Sequence, residues 1–483
     1  MGTQAAPAGV NRDIVHLAVP ALGALVAEPL FLLVDAAMVG HLGVTPLAGL
    51  GIASAILQTI VGLMVFLAYA TTPAVARRFG AGDHRGAVSI GVDGLWLALG
   101  IGAVLAVAGW FAAPWLVGLF APAPEVAAEA SIYLGISMAG LPAMLIVFAA
   151  TGLLRGMQNT MTPLWVAGIG FAASAGLNWV FMYGLGLGIA GSAIGTIIAQ
   201  WGMVAVYAVV VFRLARRHQA SLRPHRAGMR GSARAGGWLF VRTVSLRVAM
   251  LLTVAAATML GTEELAGYQV VFTLFSTAAF ALDALAIAAQ ALIGKYLGAH
   301  DVLAVRAVLR RTLQWGALFG VAVGGVIAAL SGVIGIAFTG DPALAALIQP
   351  ALLILAIAQP LAGIVFVLDG VLIGAGDVRY LALTGILNLA AYIPLQWWVI
   401  AGSVGGASGL AAFAGRGQTP EVKPMPRPRR RLNLRRPAGS LAPARARQPR
   451  GLAGRMCHFG MPAGRPYAPT RAQSRTASSR SAR

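Results

Sequence analysis

Asp35 stands in the stretch FLLVDAAMVGHLG (31–43), among side chains that offer it no charge partner. From Ile14 to Val39 the only ionisable residues are His16, Glu28 and Asp35. A run of roughly 20 apolar residues is long enough to cross the hydrocarbon core of a bilayer. A carboxylate inside such a run costs a few kcal/mol, so its default reading is functional, with structural pairing to backbone groups as the alternative. Glu28 lies seven residues earlier, nearly on the same helix face but deeper. With a first span running outward to about Gly40, Asp35 sits roughly 8 Å below its end at 1.5 Å per residue. By the same measure Asn178 lies about 10 Å below an outer end near Leu185, and Thr196 about 10 Å below one near Ile189. Asn and Thr hydrogen-bond a carboxyl group in either protonation state. Asp35, Asn178 and Thr196 are therefore expected to form one polar cluster.

Other polar residues fall elsewhere. Asp283 and Asp369 lie toward the opposite side of the eighth and tenth spans, where pairing with Arg or support of an inner gate is expected; with Gln290 they are the candidate polar sites of the second half. Enzymatic chemistry has little to stand on. No HExxH, GxSxG or metal-spaced His cluster is present, and the GLGIAG at 186–191 follows no strand. Cys457 is the single cysteine, so a Cys-based metal cluster is excluded. No catalytic residue, metal or cofactor is expected.

The elements that hold these residues follow from composition. Of 483 residues 58% are hydrophobic and 11% charged, with a mean hydropathy of +0.79. Soluble domains carry about 25% charged residues, so this is an all-α polytopic membrane protein. Eleven apolar stretches between residues 14 and 402 are long enough to span, the first at 14–40 and the last at 378–402. Arg and Lys gather in alternate connections, including Arg77, Arg78, Arg85, Arg155 and Lys295, while 110–125, 185–189, 260–264 and 331–342 have none. The positive-inside rule then puts the amino terminus in the cytoplasm, for a multi-pass protein of the cell inner membrane.

The chain also repeats. An offset of 218 residues aligns HLGVTPLAG (41–49) with MLGTEELAG (259–267), and RRFGAGD (77–83) with KYLGAHD (295–301). It also places Pro142 on Pro360 and GLLRG (152–156) on GVLIG (370–374). Two parallel repeats of six spans place a substrate site between two rocking lobes. The expected organisation is a first lobe at 1–212, a basic linker at 213–236, a second lobe at 237–413, and a tail at 414–483.

VDAAMVGHLGVTPLAGLGIAS resembles the signature of the multidrug and toxic compound extrusion (MATE) family. ALDALAIAAQALIGKYLGAHD (281–301) and VLDGVLIGAGDVRYL (367–381) resemble its DinF branch. The resemblance covers about residues 12–402. It implies twelve helices in two six-helix lobes, and export of bulky cationic or amphipathic drug-like compounds in exchange for H⁺ or Na⁺. It makes Asp35 the ion-coupling carboxylate, with Asn178 and Thr196 beside it. Where the family carries an acid four residues after that Asn, this chain has Met182. The expected partners are a small-molecule substrate and membrane lipids, without nucleic acid, for a monomer. The alternative is a lipid-precursor flippase of the related superfamily.

The repeat demands a twelfth span near 407–430, and GSVGGASGLAAF (402–413) begins one. From Ala414 onward there are instead 17 Arg and Lys against one acid, Glu421, and ten prolines. Such a composition is that of a disordered tail. A frameshifted, non-functional transporter and a lipid-binding tail are the two readings of that segment.

Overall fold

The computed structural model describes residues 9–339 and 342–403. The described chain is helical, with eleven helices long and apolar enough to cross a membrane. They are α1 (Val10–Gly40), α2 (Val44–Gly80), α3 (His84–Gly118), α4 (Pro124–Gly156), α5 (Met161–Gly184) and α6 (Gly188–Arg217). The second half continues with α7 (Arg226–Leu260), α8 (Thr262–Gly298), α9 (Val302–Phe338), α10 (Pro342–Ala375) and α11 (Val378–Ser403). A bilayer leaves no water for backbone N–H and C=O groups, so spanning segments satisfy them within helices. The expected twelfth span near 407–430 and the basic tail lie outside the described residues.

The basic stretch expected as a linker over 213–236 is helical at both ends. α6 runs on to Arg217 and α7 begins at Arg226, which leaves 218–225 as the connection. Arg and Ala are strong helix formers, and the break falls where Pro224 interrupts them. The start of α7 is tied to the first lobe by Asp93 of α3. The buried Asp93 carboxylate accepts the His225 backbone N–H at 2.7 Å, where the exposed donors of a helix start favour an anion.

The 218-residue repeat is visible as repeated contacts. Asp83 caps α3 through the Gly86 N–H at 2.8 Å, and Asp301 caps α9 through the Ala304 N–H at 2.9 Å. Gly156 packs against the Thr72 carbonyl and Gly374 against the Gln290 carbonyl, each pair one offset from the other. Small residues at these crossings let helix backbones approach closely.

The two lobes meet at the end of the molecule that carries the basic loops. There α2 and α8 cross in a reciprocal contact. A side chain at Gly80 would overlap the Lys295 carbonyl, and one at Gly298 would overlap the Arg77 carbonyl, again one offset apart. Around this crossing Gln290 Nε2 donates to the Tyr69 carbonyl at 2.9 Å and Gln158 Nε2 to the Ala291 carbonyl at 3.1 Å. The amino-terminal half of α1 joins the same seam, with Ile14 and Leu17 buried against Leu292 and Ala288 of α8.

Replacing Gly80 or Gly298 by Leu should push α2 and α8 apart, at a cost of about 1–3 kcal/mol for each. Thermal unfolding of the detergent-purified protein should show a lower midpoint for both variants. Midpoints equal to wild type would mean that the helices do not cross at these glycines.

Candidate functional site

Asp35, near the carboxy-terminal end of α1, is 3% exposed and is met by hydrogen-bond donors from two other helices. Asn178 Nδ2 donates to its Oδ1 at 2.8 Å and the Ser192 hydroxyl donates to the same oxygen at 2.6 Å. The Tyr133 hydroxyl lies close to this carboxyl. Thr196 lies one step outside, 3.2 Å from Asn178 Nδ2 and 3.3 Å from the Ser174 hydroxyl. The three residues expected together from their depths are thus together, with Ser192 and Tyr133 added.

Local sequence explains the arrangement. Gly191 and Gly195 of α6 repeat at four-residue spacing, and a side chain at either would strike α5, at Phe181–Met182 and at Asn178. This close crossing brings Ser192 and Thr196, which share one face of α6, onto Asn178. Immediately after Asn178, α5 loosens into a π turn over Val180–Gly184. Such turns recur at functional sites because they re-aim side chains without breaking the helix. Met182, four residues after Asn178, is buried in the apolar core of the lobe.

The repeat places Thr253, Tyr392 and Gln396 at the positions of Asp35, Ser174 and Asn178. These also form a cluster: the Thr253 and Tyr392 hydroxyls are 2.7 Å apart, and Gln396 Nε2 donates to Tyr392 at 2.5 Å. The second lobe therefore keeps the polar site but not its carboxylate.

A cavity of about 580 Å³ lies between the lobes, lined by Glu28, Tyr69 and Arg155 from the first and by Arg247, Phe280 and Asp283 from the second. A smaller space of about 100 Å³ shares Glu28 and Phe171 with it and reaches Tyr133 and Thr196. Asp35's cluster thus borders the interlobe cavity through this annex. A separate, almost wholly apolar groove of about 710 Å³ runs between α3 and α6 past Trp96 and Phe212. It holds none of the polar candidates, and lipid tails suit its lining.

Among the second-half candidates, Asp283 faces the cavity and accepts the Tyr69 hydroxyl at 3.0 Å across the lobe boundary. Asp369 is bound within its own lobe by Arg242 at 2.6 Å. Gln290 belongs to the interlobe seam. None of these three approaches the Asp35 cluster through a hydrogen bond. Arg155, expected as a loop charge, is instead buried on the last turn of α4 beside the cavity. No group of three or more His, Cys, Asp or Glu residues able to hold a metal occurs among the described residues.

Comparison with known proteins agrees with this architecture. The MatE family model matches residues 20–180 and 240–398, one stretch in each lobe. Protein DETOXIFICATION 44 of Arabidopsis thaliana is 28% identical over 415 residues, covering 83% of this chain and 78% of that protein. DNA damage-inducible protein F of Escherichia coli is 26% identical over 297 residues, 60% of this chain and 64% of its own. The crystal structure of the Vibrio cholerae MATE transporter VcmN in the bent form superposes with a TM-score of 0.75 at 22% identity, over 84% of this chain and 96% of that one. A family match that takes in both lobes of a repeated, eleven-span structure settles the affiliation: this chain belongs to the MATE family of multidrug and toxic compound efflux transporters.

Proposed function

We propose that this protein is a secondary active antiporter that exports bulky amphipathic compounds in exchange for protons, with Asp35 as the coupling group. The observation that carries the reading is the environment of Asp35. A lone carboxyl is buried in the first lobe among neutral donors, and the annex through Glu28 and Phe171 links it to the interlobe cavity. A protonated Asp35 loses its charge, and Asn178, Ser192 and Tyr133 can each rotate or re-pair to suit either form. Asp35 is buried in the first lobe without a cationic partner, and a carboxyl out of water sheds its charge most simply by binding a proton.

With the basic loops in the cytoplasm, the α2–α8 crossing seals the cytoplasmic end and leaves the cavity accessible from outside. Uptake of a proton by Asp35 then changes the hydrogen bonds joining α1 to α5 and α6. Because the same α1 packs through Ile14 and Leu17 on α8 of the other lobe, a shift of α1 is transmitted to the interlobe seam. This provides a physical link between proton binding and the alternation of the two lobes. The protein would act as a monomer in the inner membrane, since one chain supplies both lobes.

Asp35→Asn should insert and fold normally yet reduce gradient-driven export in inverted vesicles to the level of vesicles without the protein. Well-folded Asp35→Asn with wild-type export would eliminate the coupling role. Ser192→Ala removes one donor of about 1 kcal/mol and should lower transport about fivefold rather than abolish it. The coupling ion is read by imposing gradients separately: a pH gradient should drive dye uptake into inverted vesicles, and a sodium gradient at uniform pH should not. Uptake driven by sodium alone would replace the proton with Na⁺ in this scheme.

A further inference from the structure

The interlobe cavity contains an arginine that the transport scheme does not use. Arg247 sits midway along α7, a spanning helix, and faces the cavity. It has no hydrogen bond or ion pair to any described residue. Arg242, five residues earlier and about 140° around the helix, is by contrast locked to Asp369 within the second lobe. The Arg247 guanidinium rests in a notch on the first lobe, because a side chain at Gly62 of α2 would overlap its terminal nitrogen. An ionisable group placed in a spanning segment without a partner marks a binding function.

The cavity's other charged groups sharpen the assignment. Asp283 accepts the Tyr69 hydroxyl, a neutral donor that leaves the carboxylate its charge. Glu28 has no described partner, but a carboxyl can shed its charge by taking up a proton, whereas a guanidinium cannot shed its own. Arg155 adds a second cation whose buried Nε lacks a partner. The two charges that protonation cannot remove, Arg247 and Arg155, are therefore positive and stand against the carboxyls of Glu28 and Asp283, in a cavity otherwise lined by side chains such as Leu25, Met144 and Phe280. Guanidinium groups bind carboxylate and phosphate through two parallel N–H donors, with specificity that a point charge does not give.

Resting on the export reading above, we propose that the cavity takes amphiphiles bearing an acidic group, a carboxylate or phosphate, which Arg247 engages from the second lobe while the apolar body lies among the residues of both lobes. A ligand so held touches Arg247 on one lobe and the Gly62 face on the other, so its binding is sensitive to their separation. Discrimination by charge at this position selects among hydrophobic compounds of similar size.

The test is equilibrium binding to the full chain in neutral-lipid nanodiscs, with no gradient applied. The probes are a dansyl-tagged medium-chain fatty acid, its neutral primary amide, its quaternary ammonium counterpart, and a dansyl-tagged phosphatidic acid. The fatty acid should bind about tenfold tighter than its amide, as one charge-assisted pair provides. In Arg247→Gln that ratio should fall to about one, and in Arg247→Lys, which keeps the charge but not the fork, it should fall only in part. Gly62→Val should also reduce the ratio, because it displaces the guanidinium without altering any charge. Phosphatidic acid preferred over the fatty acid, with the preference lost in Arg247→Gln, would assign the acidic group to a lipid headgroup. A wild-type ratio of one, tightest binding of the quaternary ammonium, or a ratio unchanged in folded Arg247→Gln would overturn the proposal. Because binding is read without a gradient, these outcomes are independent of whether Asp35→Asn abolishes export.

Discussion

The α2–α8 crossing is the contact on which the rest of this molecule depends. Two glycines, Gly80 and Gly298, let two backbones touch where any side chain would hold them apart. Once the helices meet there, Tyr69 is presented to both Asp283 and Gln290, and the cavity above acquires walls from both lobes. The contact is steric and short-ranged, so it is either made or broken. Packed interfaces of this sort are bistable rather than elastic.

Against that scaffold the polar chemistry is sparse and unevenly shared. The first lobe concentrates a buried carboxyl with Asn178, Ser192, Thr196 and Tyr133. The second lobe has neutral Thr253, Tyr392 and Gln396 at the corresponding place, and spends its own charges on the Arg242–Asp369 pair and on Arg247 at the cavity. On the function proposed above, such a division would separate the site that senses the ion from the surface that meets the cargo.

Much of this was legible in the sequence because the bilayer makes the rules simple. Apolar length gives the eleven spans, and the run of charges gives their alternation. Asp35 stands out because a carboxylate is expensive where it sits, and Asn178 and Thr196 join it on depth alone. Ser192 is readable as the residue one turn before Thr196, and Arg247 by the same rule of cost that singles out Asp35. Tyr133 left no signal, since a tyrosine in a spanning helix is ordinary until its hydroxyl is seen to meet a carboxyl. The linker was misjudged because Arg-rich sequence reads as a loop by charge, whereas Arg favours helix once a preceding element such as Asp93 fixes the helix start. Arg155 escaped for a related reason: basic residues near a span end serve equally for orientation and for a cavity wall.

The reciprocal glycine contact joins two halves that are inherited together. In a symmetric homodimer a single substitution appears on both partners at once, so no site can change on one side alone. Here the two halves are fused in one chain, and each is free to vary while the crossing of Gly80 and Gly298 keeps them in register. A carboxylate at position 35 with a threonine at its repeat counterpart, position 253, is a combination that two identical subunits could never present. Duplication followed by fusion thus leaves a carboxylate in one lobe only at this pair of positions, Asp35 and Thr253.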